Sequence, residues 1–498
     1  MKKKFDKGIL NLVVGILSQI VTLTLGIVIP KIYVDNLGSE VNGLMTTVTQ
    51  IFAYIALLEA GIGNTTLQAL YKPLANNKRD DINSILAATD HYYKRTSILY
   101  FIAVVILAIL YPLAVDSNIN KTVISLVILL TGVPGIINFL FQGKYKVLLQ
   151  AEGKQYFVNF VTTIVNIFIN ISRIILVLSG FSIVAVQISY CVIQIFQMLI
   201  YTIYIKEKYE WLDLSVKKNT AALAQKNSVL VHQISGLVFS NTDNLVLSFF
   251  CGFNVVSIYS VYSLISGMIS TLINTLNDSF VYKLGYIYNK SIDDFEKTYD
   301  LMECIIGAFT FSLFTVLYLL MTPFIKVYMM GADINYVDET LVLLFVVYQV
   351  LNAGRKVPQN AINVAGHFEK TKYRALLEAG INLGLTLVLV PFFGIYGALL
   401  GTIVALLYRT NDIIIYVNKY ILMRSPTKTY LRWGVNIFFL IVLVIILKPH
   451  IVGIDSYRIF VIYGFVLTLF SLTVFLAISI LTNYRVYSKV IGNVLKRK

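Results

Sequence analysis

The sequence predicts an all-α polytopic membrane protein of about fourteen transmembrane helices, and three observations carry the prediction. Apolar residues fill 57% of the 498 positions, which is close to what fourteen spans of about 20 residues would occupy. Charged residues reach only 13%, against about 25% in soluble domains. Apolar runs recur roughly every 20 to 40 residues from end to end. They leave no soluble stretch long enough for a separate catalytic domain of about 100 residues. A soluble enzyme is excluded, and the chemistry has to take place in the membrane or at its edge.

The net charge of +15 raises the question of nucleic acid. A nucleic-acid binder gathers Lys and Arg on one basic domain. Here they fall in short alternate loops, for example Lys72, Lys78, Arg79, Lys94 and Arg95, then Lys206, Lys208, Lys217, Lys218 and Lys226, and finally Arg485, Lys489, Lys496, Arg497 and Lys498. The intervening loops carry few, among them Lys31, Lys121, Lys326, Lys448 and Arg458. No nucleic-acid partner is expected. The positive-inside rule places both termini in the cytoplasm, which requires an even number of spans.

Taken in order, the first span covers 8–33. Met1 to Lys7 followed by an apolar run imitates a signal peptide, but the run continues into Pro30 and Lys31 without a small-x-small cleavage site. The second, 41–70, carries Glu59, Gly61 and Gly63. Loop 71–95 mixes Lys with Tyr92 and Tyr93, which fits a helix lying on an anionic leaflet. Spans at 96–115 and 121–141 follow. The fifth, 157–179, holds Asn166, Asn170 and Arg173, and the sixth is 183–205. Loop 206–228, with Tyr209 and Trp211, is a second candidate for the membrane surface. Next come 229–251, with Asp243, then 255–282, 299–322 and 339–360. The tenth ends near Gly354, Arg355, Lys356 and Pro358. Spans 374–392, 395–417, 431–448 and 457–481 complete the set. The last returns the chain to its basic tail. The three cysteines, Cys191, Cys251 and Cys304, have unrelated spacing and imply neither a disulfide framework nor a metal site.

A faint repeat organises these spans. The loops LLQAEGKQYF (148–157) and NVAGHFEKTKY (363–373) each place a Gly in a basic loop. Each leads into a span with an early Asn (Asn166, Asn382) and then a turn with Gly180 or Gly394. They lie six spans apart, so two parallel six-helix halves are expected, 1–205 and 229–417, around a central cavity. The linker is 206–228, and 418–498 adds two spans and the tail.

Ionisable and polar groups at membrane depth become site candidates, because each costs several kcal/mol unless it faces protein or water. Arg173 stands between Ile171, Ile174 and Ile175 and is the leading cavity cation, with an ion pair to Glu59 or Asp243 as the alternative. Lys31, beside Pro30, either faces the cavity or snorkels. Arg355 and Lys356 turn inward if Gly354 and Pro358 break the helix, and otherwise anchor the interface. Arg409 and Asp412 are three apart and read as an internal ion pair. Glu59 and Asp243 could instead carry a proton or Na⁺ during transport. Asp278 and Glu378 are expected to be solvated. No nucleophile, phosphate-loop or metal-ligand motif occurs, so no cofactor is expected beyond a coupling ion.

The segment LLEAGIGNTTLQALYKPLA (57–75), preceded by PKIYVDNLGSEVNGL (30–44), resembles the corresponding region of bacterial Wzx-type polysaccharide-biosynthesis flippases. That family belongs to the exporter superfamily that also holds the MATE antiporters and the lipid II flippase. NTDNLVLSFFCGFNVVSIYSVYSLI (241–265) is similar to the start of their second half. NVAGHFEKTKY with EAGINLGL (378–385) is similar to their span 10 to 11 connection. The resemblance covers essentially the whole chain. It implies a cell-membrane flippase that moves undecaprenyl-diphosphate-linked oligosaccharide between leaflets by alternating access, with polysaccharide assembly proteins as further partners. Relatives place basic residues on the first span, and Lys31 is the nearest match; an oligosaccharide substrate would also need hydrogen-bonding side chains, for which the resemblance implies Gln19, Asn64, Asn166, Asn170 and Asn352 as candidate sugar contacts. Rival readings are a MATE-like cation-coupled antiporter built on Glu59 and Asp243, and a membrane glycan polymerase or glycosyltransferase. The latter usually displays a large outer loop, and the longest here is only about 323–338.

Overall fold

Within hydrocarbon, every backbone polar group has to find a partner inside its own segment, which favours helices. The computed structural model describes residues 7–223, 226–288 and 290–488. Among these residues it shows fifteen α-helices and no strand. They are α1 (Lys7–Leu37), α2 (Ser39–Ala75), α3 (Arg79–Ala114), α4 (Lys121–Ile137), α5 (Gly143–Ala151), α6 (Gln155–Leu178), α7 (Ile183–Lys208) and α8 (Lys226–Tyr288). There follow α9 (Ile292–Tyr328), α10 (Glu339–Gly354), α11 (Lys356–Val364), α12 (Phe368–Phe393), α13 (Ile395–Tyr420), α14 (Thr427–Leu447) and α15 (Tyr457–Thr482). Twelve helical stretches among the described residues are long and apolar enough to cross a membrane. The other two expected spans, 41–70 and 229–251, coincide with α2 and the first arm of α8, both helical. Side chains at 57–61 and 226–241 lie outside the described residues.

The arms of α8 meet at Gly252, whose φ of 78° and ψ of 174° are not helical. Glycine takes this left-handed backbone at no steric cost, whereas a Cβ is penalised there. α4 and α5 form one rod joined by a π-helical turn at Asn138–Gln142.

Proline removes a helix donor and pushes away the carbonyl four residues earlier. Two such carbonyls find side-chain donors on neighbouring helices. The Ala108 carbonyl, freed by Pro112, accepts from Ser125 Oγ at 2.7 Å. The Leu130 carbonyl, freed by Pro134, accepts from Cys191 Sγ at 3.1 Å. Such exchanges let prolines persist inside transmembrane helices.

The chain divides into two compact units, 1–258 with 332–334, and 259–331 with 335–498. In the first, α1 packs on α2 and α6, α3 on α2 and α4, and α7 on α4 and α6. Residues 242–258 of α8 are stitched to this unit. A Cβ on Gly43 would lie 1.8 Å from the Phe253 carbonyl oxygen, so only glycine fits that approach. Tyr111 Oη donates to Ser248 Oγ at 2.8 Å, and Asn42 Nδ2 to Ser257 Oγ at 2.8 Å. The Asp333 carboxylate caps α2, accepting from the Ser39 backbone N–H at 3.1 Å and from its hydroxyl.

In the second unit α9 is the central rod, touching α10, α14 and α15, while α12 and α13 pack closely as a pair. Gly397 allows this pair to close, since a Cβ there would sit 2.5 Å from the Leu389 carbonyl oxygen. Large side chains of α14 and α15 such as Phe438, Ile441, Ile462 and Phe465 are exposed, as a lipid-facing surface requires.

Two expectations about the loops are corrected. Residues 79–95 are the first turns of α3, and Tyr93 is fully buried, packed edge-on against Phe139 at 5.9 Å. The helical period placed it on the core face, away from any membrane surface. Residues 209–219 are not helical. They fold onto α3 through Asn219 N–H to the Ser84 carbonyl at 3.0 Å and Asn83 Nδ2 to the Trp211 carbonyl at 3.2 Å. Trp211 stacks under Arg79, 5.3 Å from its ring centre.

Candidate functional site

Arg173 faces its own unit from the last two turns of α6. Its terminal nitrogen donates to Asn170 Oδ1, one turn earlier, at a long 3.4 Å. Its guanidinium stacks on Tyr190 of α7, 5.3 Å from the ring centre. It makes no ion pair with any described residue, so the alternative of a pair with Asp243 does not hold. Arg173 Nε is buried without a hydrogen-bond partner, and so is the hydroxyl of Tyr33 on α1, on which Arg173 acts electrostatically. A bare cation at membrane depth costs about 3 kcal/mol. A cation–π stack and a long hydrogen bond offset about 1 kcal/mol each. The site therefore keeps unspent donors and a positive potential.

Arg355 has the same local pattern and a different outcome. It sits at the break between α10 and α11, as Gly354 and Pro358 suggested. The break frees the Leu351 carbonyl, which accepts from Thr410 Oγ1 at 3.3 Å. Arg355 Nε donates to Asn352 Oδ1 at 3.2 Å, and its guanidinium is ion-paired with Glu378. Glu378 is expected from the sequence to be solvated, yet it is 6% exposed, because α12 and α13 close over it. Its other oxygen lies 3.3 Å from Arg409 Nε. Arg409 continues to Asp412 at 2.9 Å, and Asp412 to Arg374. The internal Arg409–Asp412 pair is thus one link in a chain of three guanidiniums and two carboxylates. Lys356 stands beside it with no hydrogen bond or ion pair among the described residues, within reach of Arg355 and Asp278.

The remaining candidates scatter. Lys31 pairs with Asp35 at 2.7 Å, one turn along α1. Asp243 is buried on α8 next to Thr242, whose hydroxyl bonds Tyr54 Oη at 2.7 Å. The side chain of Glu59 lies outside the described residues. Gln19 and Asn64 are exposed. The Asn166 carbonyl accepts from Asn170 Nδ2 at 2.7 Å, and Asn170 and Asn352 each hold an arginine.

One charged cluster escaped the sequence reading, in which Arg424 lies between the expected spans 395–417 and 431–448 and Arg432 at the start of the latter. Arg424 binds Glu296 and Asp300, both at 2.7 Å. Arg432 binds Asp300 at 2.8 Å and also Glu303, which accepts from Thr429 Oγ1 at 2.8 Å. The available signal was Asp300 and Glu303, three apart on one face at the start of an apolar run.

Comparison with known proteins places this geometry. No family profile matches the chain, and no curated protein matches it. Among solved structures, the lipid II flippase MurJ in an inward closed conformation superposes with a TM-score of 0.71 at 16% identity, over 94% of this chain and 98% of that one. A multidrug resistance MATE family transporter of the MOP superfamily matches in its inward-facing conformation with a TM-score of 0.60 at 14% identity, over 79% of this chain and 93% of that one. The outward-facing conformation of a MATE family transporter matches at 0.54 and 14% identity, over 80% and 91%. The chain is a multi-pass, all-helical membrane protein. Its fold is the one that these flippase and MATE structures have.

Proposed function

We propose that this protein is a transporter of the flippase kind, carrying an anionic lipid-linked oligosaccharide with a diphosphate head from the inner to the outer leaflet of the cell membrane by alternating access. The observation that carries the reading is Arg173, a cation in an apolar helix with no carboxylate partner among the described residues and a buried Nε left without a hydrogen bond. A guanidinium binds phosphate oxygens bidentately, and the free hydroxyl of Tyr33 adds a donor beside it. In the second unit Arg355 is neutralised by Glu378, and Lys356 alone of that pair supplies further positive charge. Both termini face the cytoplasm in this reading, following the basic loops. The likeness to a lipid II flippase supports the fold of such a machine, and the sequence resemblance to polysaccharide flippases supports the substrate class.

The test locates lipid-linked glycans by leaflet in cells lacking the protein. Complete repeat units trapped on the cytoplasmic side, with surface polymer lost, support the flippase. Complete units stranded outside would instead indicate a polymerase, and incomplete units a glycosyltransferase. Unchanged glycans with altered sensitivity to cationic compounds would make it a MATE-like antiporter.

A further inference from the structure

The second unit contains a cavity of about 870 Å³ that the proposed transport does not use. This lies in the range of small-molecule sites, about 300–1,000 Å³. It opens where α9 and α14 begin and α15 ends. Its floor is the neutralised cluster of Asp300 and Arg432, with Arg432 Nε held by Asn483 Oδ1 at 2.9 Å. Around the rim stand three charges with no ion pair to any described residue, namely Lys428, Arg485 and Asp293. Its walls include Leu431 and Leu481, 64% and 78% exposed.

These features call for one ligand with three parts. Two free cations fit a phosphate, one free carboxylate fits an amine, and exposed leucines continuous with the lipid-facing sides of α14 and α15 fit hydrocarbon. A soluble phosphate lacks the tail, and an anionic phospholipid leaves Asp293 unmatched and repelled. We propose that this groove binds the headgroup of a phospholipid bearing a phosphate and a primary amine, a phosphatidylethanolamine. Lys428 and Arg485 hold the phosphate oxygens and Asp293 the ammonium. A primary ammonium has three donors for a carboxylate, and a choline headgroup has none, so the site discriminates between the two.

The experiment is native mass spectrometry of the full chain released from nanodiscs of equimolar phosphatidylethanolamine, phosphatidylcholine and phosphatidylglycerol. The wild type should retain the ethanolamine lipid about tenfold over the choline lipid, the effect of one charge-assisted hydrogen bond. Asp293→Asn should erase that preference while leaving phosphatidylglycerol retention unchanged or higher. The double variant Lys428→Gln with Arg485→Gln should reduce retention of both phosphatidylethanolamine and phosphatidylglycerol about tenfold or more. All three side chains are exposed, so the variants should melt with the wild type. Equal retention of the three lipids by the wild type overturns the proposal. So does an ethanolamine preference that survives Asp293→Asn, or preferential retention of phosphatidylglycerol. None of these outcomes depends on what the protein transports.

Discussion

The two units each present an arginine held by an asparagine three residues before it in an apolar helix, Asn170 with Arg173 and Asn352 with Arg355. From there they diverge. Arg355 is neutralised by Glu378 and joined to Arg409, Asp412 and Arg374. Arg173 has a tyrosine face and no carboxylate among the described residues. The same local pattern therefore serves two ends. In the second unit the charge is consumed in tying α10, α12 and α13 together. In the first no described acid consumes it, and our proposal assigns it to the substrate. A buried cation indicates a binding site only when the neighbouring helices withhold the acid that would neutralise it.

The sharpest way to break this comparison is Glu378→Gln, which leaves buried Arg409 and half-buried Arg355 without their shared carboxylate. Removing one partner of a buried pair costs about 3–5 kcal/mol, read as a lowered midpoint in denaturant or thermal unfolding of the purified protein. A loss under about 1 kcal/mol would mean that the chain of charges does not hold the helices. The counterpart is Arg173→Met. It removes a charge with no carboxylate partner, so stability should stay within about 1 kcal/mol of wild type or rise. Leaflet transfer of the lipid-linked glycan in proteoliposomes should fall at least tenfold. Wild-type transfer by this variant would remove Arg173 from the proposed site. An unfolding cost matching that of Glu378→Gln would instead make it structural.

The asparagines refine the contrast at smaller scale. Asn170→Ala takes away the side-chain hydrogen bond of Arg173 and should reduce transfer by several-fold, about 1 kcal/mol in binding. Asn352→Ala leaves Arg355 its carboxylate and should cost only a few tenths of a kcal/mol in stability. Equal effects at the two sites on both readouts would erase the distinction. The smallest change is expected from Lys31→Ala, where a partly exposed pair one turn apart is worth about 0.3–0.5 kcal/mol. A large transport defect with normal stability would instead return Lys31 to the substrate path.

The helices and their order were legible in the sequence, because backbone satisfaction in lipid leaves few options and apolar length sets each span. So was the break at Arg355, since Gly354 and Pro358 act on their own turn. The link between Arg409 and Asp412 was readable for the same reason, as helical spacing alone brings them together. Glu378 was misread because its position near a span end says nothing about which helices close over it. Tyr93 was misread because α3 begins well before its apolar run. The cluster of Asp300, Glu303, Arg424 and Arg432 draws on two expected spans and the loop before the second, and its members meet only where α9, α14 and that loop pack together.

The sequence by itself determined the class of protein, the succession of its helices, and the glycines and prolines at which they bend, all consequences of interactions reaching no further than a few residues. Only the tertiary structure decided which charges are neutralised and which stay available. Whether Arg173 meets a carboxylate depends on residues far away in the chain, and the approach of α1 and α7 gives it two tyrosines instead. Electrostatic energy at membrane depth turns on distances of a few ångströms between helices, and helical periodicity does not encode them.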